Sequence, residues 1–547
     1  MKHPAPAETN VWHGAIRLQF APAQAALPAD ENSPGLVLMT PAADAQKQPG
    51  PDAPESPSPC LPREWCWLWL LGLALVLAVS RQSLWIDEAN TADISMAVSL
   101  QEAWRRLLAV SGSTVQMPLY LFCMWCWVKL FGNGEWALRA AGLIWLAPGL
   151  VAMASGFRQR RHRLALMLAA ATSAFAWYYA GEARPYAMML GAACLIFAAL
   201  LRLGRDDLTE RQQSRWLTGF LLGLLILCGS NLLGAIWAIA ALAAALILVP
   251  WRRLAGFWKS APLRLALTFL LLLLLAIYYL WTLSMGERAS PVGRTDWKTV
   301  LFVFYEQLGL TGLGPGRLEL REVGIGSLRP YVLPLAVYFV LTAILLVHGL
   351  KEAARLESAQ RVRRLALAVA LPALLLLGMA CATHFRILGR HFAPLMPIWF
   401  SLLALGLAAL WPREGWLGRP VVAAYLMLSL WSCLSVRFAI RHERDDYRDA
   451  ARCAREALLQ NQAVWWNADG ACARYYALPL DKEGNGMNSA LLINNPSAAD
   501  LPRLKKPDII LASKPDIFDA EGALAEYLAR NHYQVAGRLP AFTIWRD

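Results

Sequence analysis

The sequence predicts an α-helical polytopic membrane protein with a small α/β domain at its C-terminal end. Three observations favour this class: 57% of the 547 residues are hydrophobic, only 17% are charged, and the apolar residues fall into long runs. Soluble proteins contain roughly 45–50% apolar and about 25% charged residues. The composition therefore excludes a disordered chain and argues against a soluble multidomain enzyme.

The formal net charge of +13 is more typical of topology signals than of a nucleic-acid surface, and we expect no nucleic-acid partner. Basic residues cluster between apolar runs, as in the segment 158–163 (RQRRHR). Cytoplasmic loops of membrane proteins carry such an excess of Lys and Arg. Most of the ten cysteines lie inside apolar stretches, where cysteine is usually a small buried hydrophobic residue. They indicate neither a zinc site nor a redox site.

Residues 1–62 are predicted to form a disordered cytoplasmic tail. This segment is rich in Pro and Ala and has no lasting periodicity, so it cannot bury enough apolar surface to fold. No short apolar core follows a basic start, which argues against a signal peptide. Met39 is a plausible alternative initiator.

Eleven segments are predicted as membrane spans, because a crossing needs ~20 mostly apolar residues. These spans are 65–82, 137–156, 164–180, 187–202, 216–231, 233–249, 265–283, 331–349, 365–383, 393–410 and 421–438. The basic loops expected in the cytoplasm are 158–163, 202–215, 250–264 and 351–364. An odd number of spans then places the N-terminus inside and the chain after residue 440 outside.

The apolar segment 117–132 decides this topology. It has only sixteen residues, which is short for a crossing, so we interpret it as a juxtamembrane or re-entrant segment. Counting it as a twelfth span would place Asp87 and Arg184 on opposite faces of the membrane.

The first outer loop, 81–136, carries a candidate acid site. Asp87 and Glu88 follow the first span directly, and an amphipathic helix is predicted after them. Its apolar stripe comprises Ile94, Ala97, Val98, Trp104, Leu107 and Leu108. Such a helix lies in the membrane interface, where a carboxylate can act as a general base toward a hydroxyl. The alternative is an interfacial cap, in which the two acids complement the helix dipole.

A candidate cation site lies in the segment WYYAGEARPYAMML. Gly181 can end one span and Pro185 can begin the next, so Glu182, Arg184 and Tyr186 are expected in a tight outer turn. An arginine at such a turn can bind phosphate oxygens with its planar fork. The alternatives are snorkelling to the interface or a structural pair with Glu182.

A second cation cluster comprises His384, Arg386, Arg390 and His391, in an outer loop before the span that Pro394 opens. Four potential cations in a short external loop depart from the positive-inside bias, which favours an anionic ligand over a merely tolerated loop. Together, the acid pair and the two cation clusters predict a site on one outer face. There a carboxylate would activate an acceptor, and cations would hold a lipid-linked phosphate leaving group.

At these residues the chain resembles the GT-C superfamily of polytopic glycosyltransferases. The likeness is greatest to the bacterial family-39-like branch, which is related to protein O-mannosyltransferases and lipid A aminoarabinose transferases. The matching motifs are LWIDEA (84–89), PLYLFCMWCWVKLFGNGEWALRAAG (118–142), YYAGEARPYAMML (178–190), GRHFAPLMP (389–397) and DDYRDAARCAREALLQNQAVWWN (445–467). The resemblance implies a transmembrane catalytic domain over 63–439 in the bacterial inner membrane. It would transfer a sugar on the periplasmic face.

The resemblance also implies partners and roles. The partners are a polyprenyl-phosphate sugar donor, membrane lipids and an envelope acceptor, which is a lipid, a glycan or a protein. Asp87 takes the position of the catalytic base or acceptor-orienting carboxylate, with Glu88 beside it. The residues implied at the donor phosphate are Arg184, Tyr186, Arg390 and His391. Many relatives carry a His-Pro-Pro-Leu-Tyr motif where this chain has QMPLY at 116–120, so a histidine ligand is absent there. We therefore expect no cofactor, and a divalent metal has no support.

Residues 440–547 are more polar and predict a small periplasmic α/β domain. Helices are expected over 445–462 and 516–531, and strands over 463–467, 508–512 and 535–546. The segment has no glycine fingerprint for a nucleotide. We interpret it as a lid or acceptor-recognition module, with a purely structural role as the alternative.

Two other functions fit the composition. A lipid-linked-precursor transporter or flippase would need charges deep within spans and internal repeats, and the sequence offers few of the former and no evident case of the latter. An O-antigen ligase or polymerase would release a polyprenyl pyrophosphate rather than a monophosphate.

Overall fold

The computed structural model describes residues 62–547, apart from 111, 286–294, 358, 383–384, 412–417 and 482–487. The predicted tail, except Pro62, lies outside the described residues together with Met39, and so does His384. The described chain is mostly helical and ends in a six-stranded sheet. This confirms the predicted class of a helical polytopic fold with a small C-terminal sheet region.

Nineteen α-helices precede the C-terminal region in the described chain. They are α1 (Pro62–Ala78), α2 (Ile86–Ser95), α3 (Leu100–Val110), α4 (Pro118–Phe131), α5 (Glu135–Ala140), α6 (Leu143–Gly156), α7 (Arg160–Ala171), α8 (Ala174–Ala180), α9 (Tyr186–Leu203), α10 (Glu210–Ser230), α11 (Leu232–Leu248), α12 (Trp251–Ser260), α13 (Pro262–Ser284), α14 (Trp297–Gln307), α15 (Arg317–Val323), α16 (Val332–Leu356), α17 (Ala359–Ala382), α18 (Met396–Leu410) and α19 (Gly418–Phe438). Short 3₁₀ helices intervene, of which Gly389–Leu395 matters for the site.

Every predicted span falls on a helix or on two consecutive helices, but fewer helices are long and apolar enough to cross a membrane alone. Among the described residues seven meet that criterion, or eight if α11 and α12, bent by 114°, form one span. α1 has only 17 residues, and the segment predicted as 164–180 is broken between α7 and α8, where Ser173 caps α8. The count of eleven therefore stays a prediction.

Close helix crossings hold the bundle together. A Cβ on Gly149 of α6 would overlap the backbone of Gly191 in α9, and Gly349 of α16 meets the backbone of α18 in the same way. Small residues let helices approach closely where apolar burial alone gives little drive for association. The crossing of α6 and α9 fixes the direction of α9, which starts at the turn carrying Arg184.

The first outer loop differs from its prediction. The single amphipathic helix is two helices, α2 and α3, separated at 96–99, and Val98 in this break is 82% exposed. Asp87 and Glu88 lie in the first turn of α2, where acids complement the helix dipole. α4 follows with 14 residues, which span about 21 Å and fall short of the ~30 Å apolar core of a bilayer.

The C-terminal region contains four helices and six strands among its described residues. They are α20 (Tyr447–Leu459), β1 (Val464–Asn467), α21 (Gly470–Tyr475), β2 (Leu480–Asp481), β3 (Ala490–Leu492), β4 (Ile509–Ser513), α22 (Pro515–Phe518), α23 (Ala523–Arg530), β5 (Gln534–Leu539) and β6 (Phe542–Arg546). The strand order is β2-β3-β1-β4-β6-β5, with β2, β3, β1 and β4 parallel and the hairpin β5–β6 antiparallel.

Two elements of this region were predicted wrongly. The strand expected over 535–546 is a hairpin, because the chain turns at Ala541 with φ of 65°. The helix expected over 516–531 is interrupted before Gly522, whose φ of 75° is readily adopted by glycine. The short strands β2 and β3 and helix α21 were not predicted, because short segments carry little periodic signal.

The C-terminal region and the first outer loop share one hydrophobic core. Ala89 and Tyr120 from the loop belong to the same buried cluster as Tyr447 and Cys472. The described residues form one compact unit. The helix that carries Asp87 is therefore packed against the sheet region as well as against the bundle.

Candidate active site

Glu88 is fully buried in a two-pronged ion pair with Arg139 of α5. The guanidinium donates from Nε to Oε1 at 2.8 Å and from Nη2 to Oε2 at 2.6 Å, and both side chains have no exposed area. Arg139 also donates to the carbonyls of Ser80, Gln82 and Ser83, which lie in the chain between α1 and α2. This arginine therefore fixes the entry into α2.

Glu88 has two further partners. Its Oε1 accepts from the Ala183 N–H at 2.9 Å and lies 3.0 Å from Nη1 of Arg444. Burial alone would raise the pKa of Glu88, but the attraction of Arg139 and Arg444 and the hydrogen bonds from Arg139 and Ala183 lower the pKa to about 2. Both oxygens of this charged carboxylate are engaged by the protein itself.

Asp87 faces a different side of α2. Its side chain is 27% exposed, and Oδ2 lies 3.9 Å from Nη2 of Arg184 and 3.7 Å from Nη1 of Arg390. Arg184 is anchored separately, because its Nη1 donates to the Asp87 carbonyl at 3.2 Å and lies 3.4 Å from Thr91 Oγ1. The structure thus brings together three residues that the sequence offered in three separate motifs.

Both arginines keep unused donor capacity. The side chain of Arg184 is 1% exposed, that of Arg390 is 16% exposed, and in each the buried Nε–H has no hydrogen-bond partner among the described atoms. Burial opposes the charge of Arg184, but the Asp87 carboxylate raises its pKa above the ordinary value. Two converging guanidinium groups with free N–H donors are suited to an oxyanion, since arginine binds phosphate and carboxylate oxygens with parallel hydrogen bonds.

Arg390 is held between aromatic rings. Its guanidinium carbon lies 5.7 Å from the ring centroid of Trp85 and 5.2 Å from that of Tyr186. Tyr186 is buried at the start of α9, so its place in the site is that of a platform for this cation. The preceding Gly389 donates its N–H to Glu306 at 2.7 Å, and a Cβ at this position would collide with that carboxylate.

His391 and Arg386 lie apart from the acid. His391 is buried, its Nδ1 accepts from the Leu388 N–H at 3.1 Å, and its carbonyl accepts from Trp237 at 2.9 Å. These bonds make His391 a cap of the 3₁₀ turn that presents Arg390. Arg386 is exposed.

Sequence reasoning missed three participants around this cluster. Arg139 stands alone between apolar residues, and a buried arginine in a membrane protein is a signal that could have revealed it. Glu306 in α14 is a similar case: it forms an ion pair with Arg317 and accepts from Tyr179 at 3.3 Å. Arg444 lies in a charged run, HERDD, where nothing in the sequence sets it apart.

Within the ranges that the structure describes, no group of three or more His, Cys, Asp and Glu side chains is arranged to hold a metal ion. Gln116 opens the QMPLY segment, and its carbonyl accepts from Leu232 N–H at 3.1 Å.

Comparison with known proteins shows the fold. No family model matches the sequence, and no curated protein matches it. Among solved structures, ArnT from Cupriavidus metallidurans in the apo state matches with a TM-score of 0.52 at 14% identity, over 88% of this chain and 98% of that chain. ArnT bound to undecaprenyl phosphate matches with a TM-score of 0.50 at 14% identity, over 89% and 98%.

The chain therefore has a polytopic helical fold similar to that of the two ArnT structures described above.

Proposed function

We propose that this chain is a membrane glycosyltransferase that moves a sugar from a polyprenyl-phosphate donor to an envelope acceptor. The reaction would take place at the periplasmic face of the bacterial inner membrane, with the N-terminus in the cytoplasm. The observation that carries the proposal is the open cluster of Asp87, Arg184 and Arg390, in which a part-exposed carboxylate faces two arginines with free Nε–H donors.

The fold adds support. A matching ArnT structure is bound to undecaprenyl phosphate, which is a polyprenyl phosphate. A donor of this class carries one negative charge on its phosphodiester, and the departing monoester gains a second. Arg184 and Arg390 provide the matching positive charges, and a preorganised cation at a developing oxyanion typically contributes 10²–10³ in rate.

The reaction is a single displacement with inversion at the sugar. The acceptor oxygen forms the new bond to the anomeric carbon while the bond from that carbon to the phosphate oxygen breaks. Asp87 takes the proton of the acceptor hydroxyl, and the bonding electron pair leaves with the polyprenyl phosphate. Glu88 remains in its ion pair with Arg139, so Asp87 rather than Glu88 acts as the base in this proposal.

The test uses full-length protein in nanodiscs with radiolabelled polyprenyl-phosphate sugars and a total envelope extract as the acceptor source. We expect Asp87→Asn and Arg184→Ala each to lower transfer by about 10²–10³. The control is Glu526→Gln, because Glu526 is a half-exposed carboxylate on α23 that pairs within its own helix. Wild-type turnover in both site variants would defeat the assignment.

The lipid product separates the rival functions. A glycosyltransferase of this kind releases free polyprenyl phosphate, whereas an O-antigen ligase or polymerase releases the pyrophosphate. A flippase moves the intact donor between leaflets and releases neither. Chromatography of the labelled lipid therefore discriminates all three.

A further inference from the structure

The two elements that carry Asp87 and Arg184 are distant in sequence and need a physical link to keep their separation. Asp87 lies on α2, and Arg184 lies in the turn between α8 and α9. Glu88 provides part of the link, since its Oε1 accepts from the Ala183 N–H at 2.9 Å. The neighbour of the acid is thus bonded to the neighbour of the arginine.

Arg444 also connects α2 with the turn between α8 and α9. Its Nη1 lies 3.0 Å from Glu88 Oε1, and its Nη2 donates to the Gly181 carbonyl at 3.0 Å. Nη2 also lies 3.9 Å from Glu182, and the guanidinium carbon is 5.3 Å from the Tyr178 ring centroid. One buried guanidinium therefore touches both α2 and the turn that presents Arg184.

Arg444 belongs to the segment that leads into the C-terminal region, and that segment is anchored to the sheet. Asp445 forms an ion pair with Lys514, and each side chain is 9% exposed. Lys514 directly follows β4 and has a left-handed φ of 44°. Asp446 donates its backbone N–H to the Pro540 carbonyl at 3.0 Å. These contacts of Asp445 and Asp446 with the sheet region fix the position of the neighbouring Arg444.

We propose that Arg444 is a positioning residue through which the C-terminal region sets the separation of Asp87 and Arg184. It acts through Glu88 and the Gly181 carbonyl and does not touch the acceptor or the donor. The catalytic consequence rests on the proposed function, whereas the structural link does not. A misplacement of about 1 Å in a reacting constellation can cost 10² in rate, so a link of this kind has a measurable effect.

The first measurement is hydrogen exchange of the full-length protein in nanodiscs, which needs no substrate. In Arg444→Gln we expect at least tenfold faster exchange in peptides covering 83–95 and 178–186, while β1 and β4 keep wild-type protection. The control is Arg452→Gln, because Arg452 is 60% exposed on α20 and pairs only with acids of that helix in the described contacts. Unchanged exchange in both peptides would overturn the proposal, and so would a uniform increase across the chain.

The second measurement is transfer from a polyprenyl-phosphate sugar. Arg444→Gln should lower kcat by 10- to 100-fold at constant active-enzyme concentration, and Arg444→Lys should recover part of the loss, because lysine keeps the charge near Glu88. Equal kcat in Arg444→Gln and wild type would contradict a positioning role. Should wild type show no transfer while exchange responds as expected, the proposed function fails and the link stands.

A second variant keeps the test decisive if Arg444→Gln does not accumulate. Lys514→Met removes the anchor of Asp445 without altering any group that contacts Glu88. We expect it to increase exchange in the same two peptides with smaller amplitude. Wild-type exchange in Lys514→Met, together with loss of folding in Arg444→Gln, would assign Arg444 to stability alone and refute the proposal.

Discussion

Two adjacent carboxyl groups on α2, Asp87 and Glu88, have opposite surroundings. Successive residues of an α-helix point about 100° apart, so the two side chains leave the helix toward different regions. Glu88 points inward and is held by Arg139 at 2.6 and 2.8 Å, with no exposed area. Asp87 points to the open side, where its oxygen stays 3.7 and 3.9 Å from two arginines.

The difference separates a structural ion pair from a site. In the closed pair every oxygen has a donor, so no capacity remains for a ligand. In the open cluster the arginines keep free Nε–H groups and the carboxylate is part-exposed. Incomplete pairing of buried charges has a cost in free energy, and such clusters occur where a ligand completes the pairing.

The largest expected effect is a contrast in stability between these neighbours. Glu88→Gln leaves the buried Arg139 without its counter-charge and should lower the free energy of unfolding by about 3–5 kcal/mol. Asp87→Asn should lower it less, by about 1 kcal/mol or below, because the part-exposed Asp87 carboxylate lies 3.9 and 3.7 Å from Arg184 and Arg390. Denaturant unfolding in detergent measures both values. Equal losses in the two variants would contradict the assignment of Glu88 to the closed pair.

The pH dependence of this contrast follows from the pKa of Glu88, which is lowered in the folded protein to about 2. A carboxyl with a lowered pKa stabilises the fold fully above its unfolded value near 4.5, and the contribution is lost as the pH falls toward 2. The difference between wild type and Glu88→Gln should therefore be constant from pH 6 to pH 8.

An intermediate effect is expected on the binding of polyprenyl phosphate by the open cluster of Asp87, Arg184 and Arg390. Arg390→Lys keeps the charge but loses the planar stacking between Trp85 and Tyr186 and the paired N–H donors. We expect about tenfold weaker binding of polyprenyl phosphate, which corresponds to ~1.4 kcal/mol. Titration of nanodisc-embedded protein with the lipid measures it, with Arg452→Lys as the control. An unchanged affinity would show that Arg390 acts as a simple point charge.

Sequence alone predicted the fold class because hydrophobicity over ~20 residues is a strong signal that requires no knowledge of tertiary contacts. It failed where the signal is short. The break between α2 and α3 at 96–99 and the hairpin turn at Ala541 are only a few residues long, too short to interrupt a hydrophobic pattern visibly. The strands β2 and β3, of two and three residues, carry almost no pattern.

The sequence offered three separate motifs, and the structure brings Asp87, Arg184 and Arg390 from them together, while their roles and their membrane face stay predictions. The sequence could not divide roles between Asp87 and Glu88, because the division depends on where Arg139 lies in space. The role of Arg444 could not be predicted from the sequence for the same reason, because its contacts join positions more than 250 residues apart.

The smallest expected effect on stability concerns Glu182, which lies in the turn between α8 and α9, beside the closed ion pair of Glu88 and the open cluster of Asp87. Its side chain is buried, and neither oxygen has a hydrogen-bond partner within the described chain. Burial raises the pKa of Glu182, and this effect exceeds the attraction of Arg444, Arg317 and Arg390 and adds to the repulsion of Glu88. Burial thus disfavours the charged form of Glu182 in the folded protein, and Glu182→Gln replaces this carboxyl with a neutral side chain of similar shape.

A carboxyl with a raised pKa stabilises the fold fully below its unfolded value near 4.5, and the contribution declines as the pH rises through the folded pKa. Glu182→Gln should thus gain stability relative to wild type as the pH rises from 5 to 8, by a few tenths to about 1 kcal/mol, a size typical of single substitutions. Unfolding at the two pH values measures this gain, with Glu526→Gln as the exposed control. A variant less stable than wild type at pH 8 would mean that Glu182 is ionised and paired with Arg444, and would extend the closed cluster into the turn.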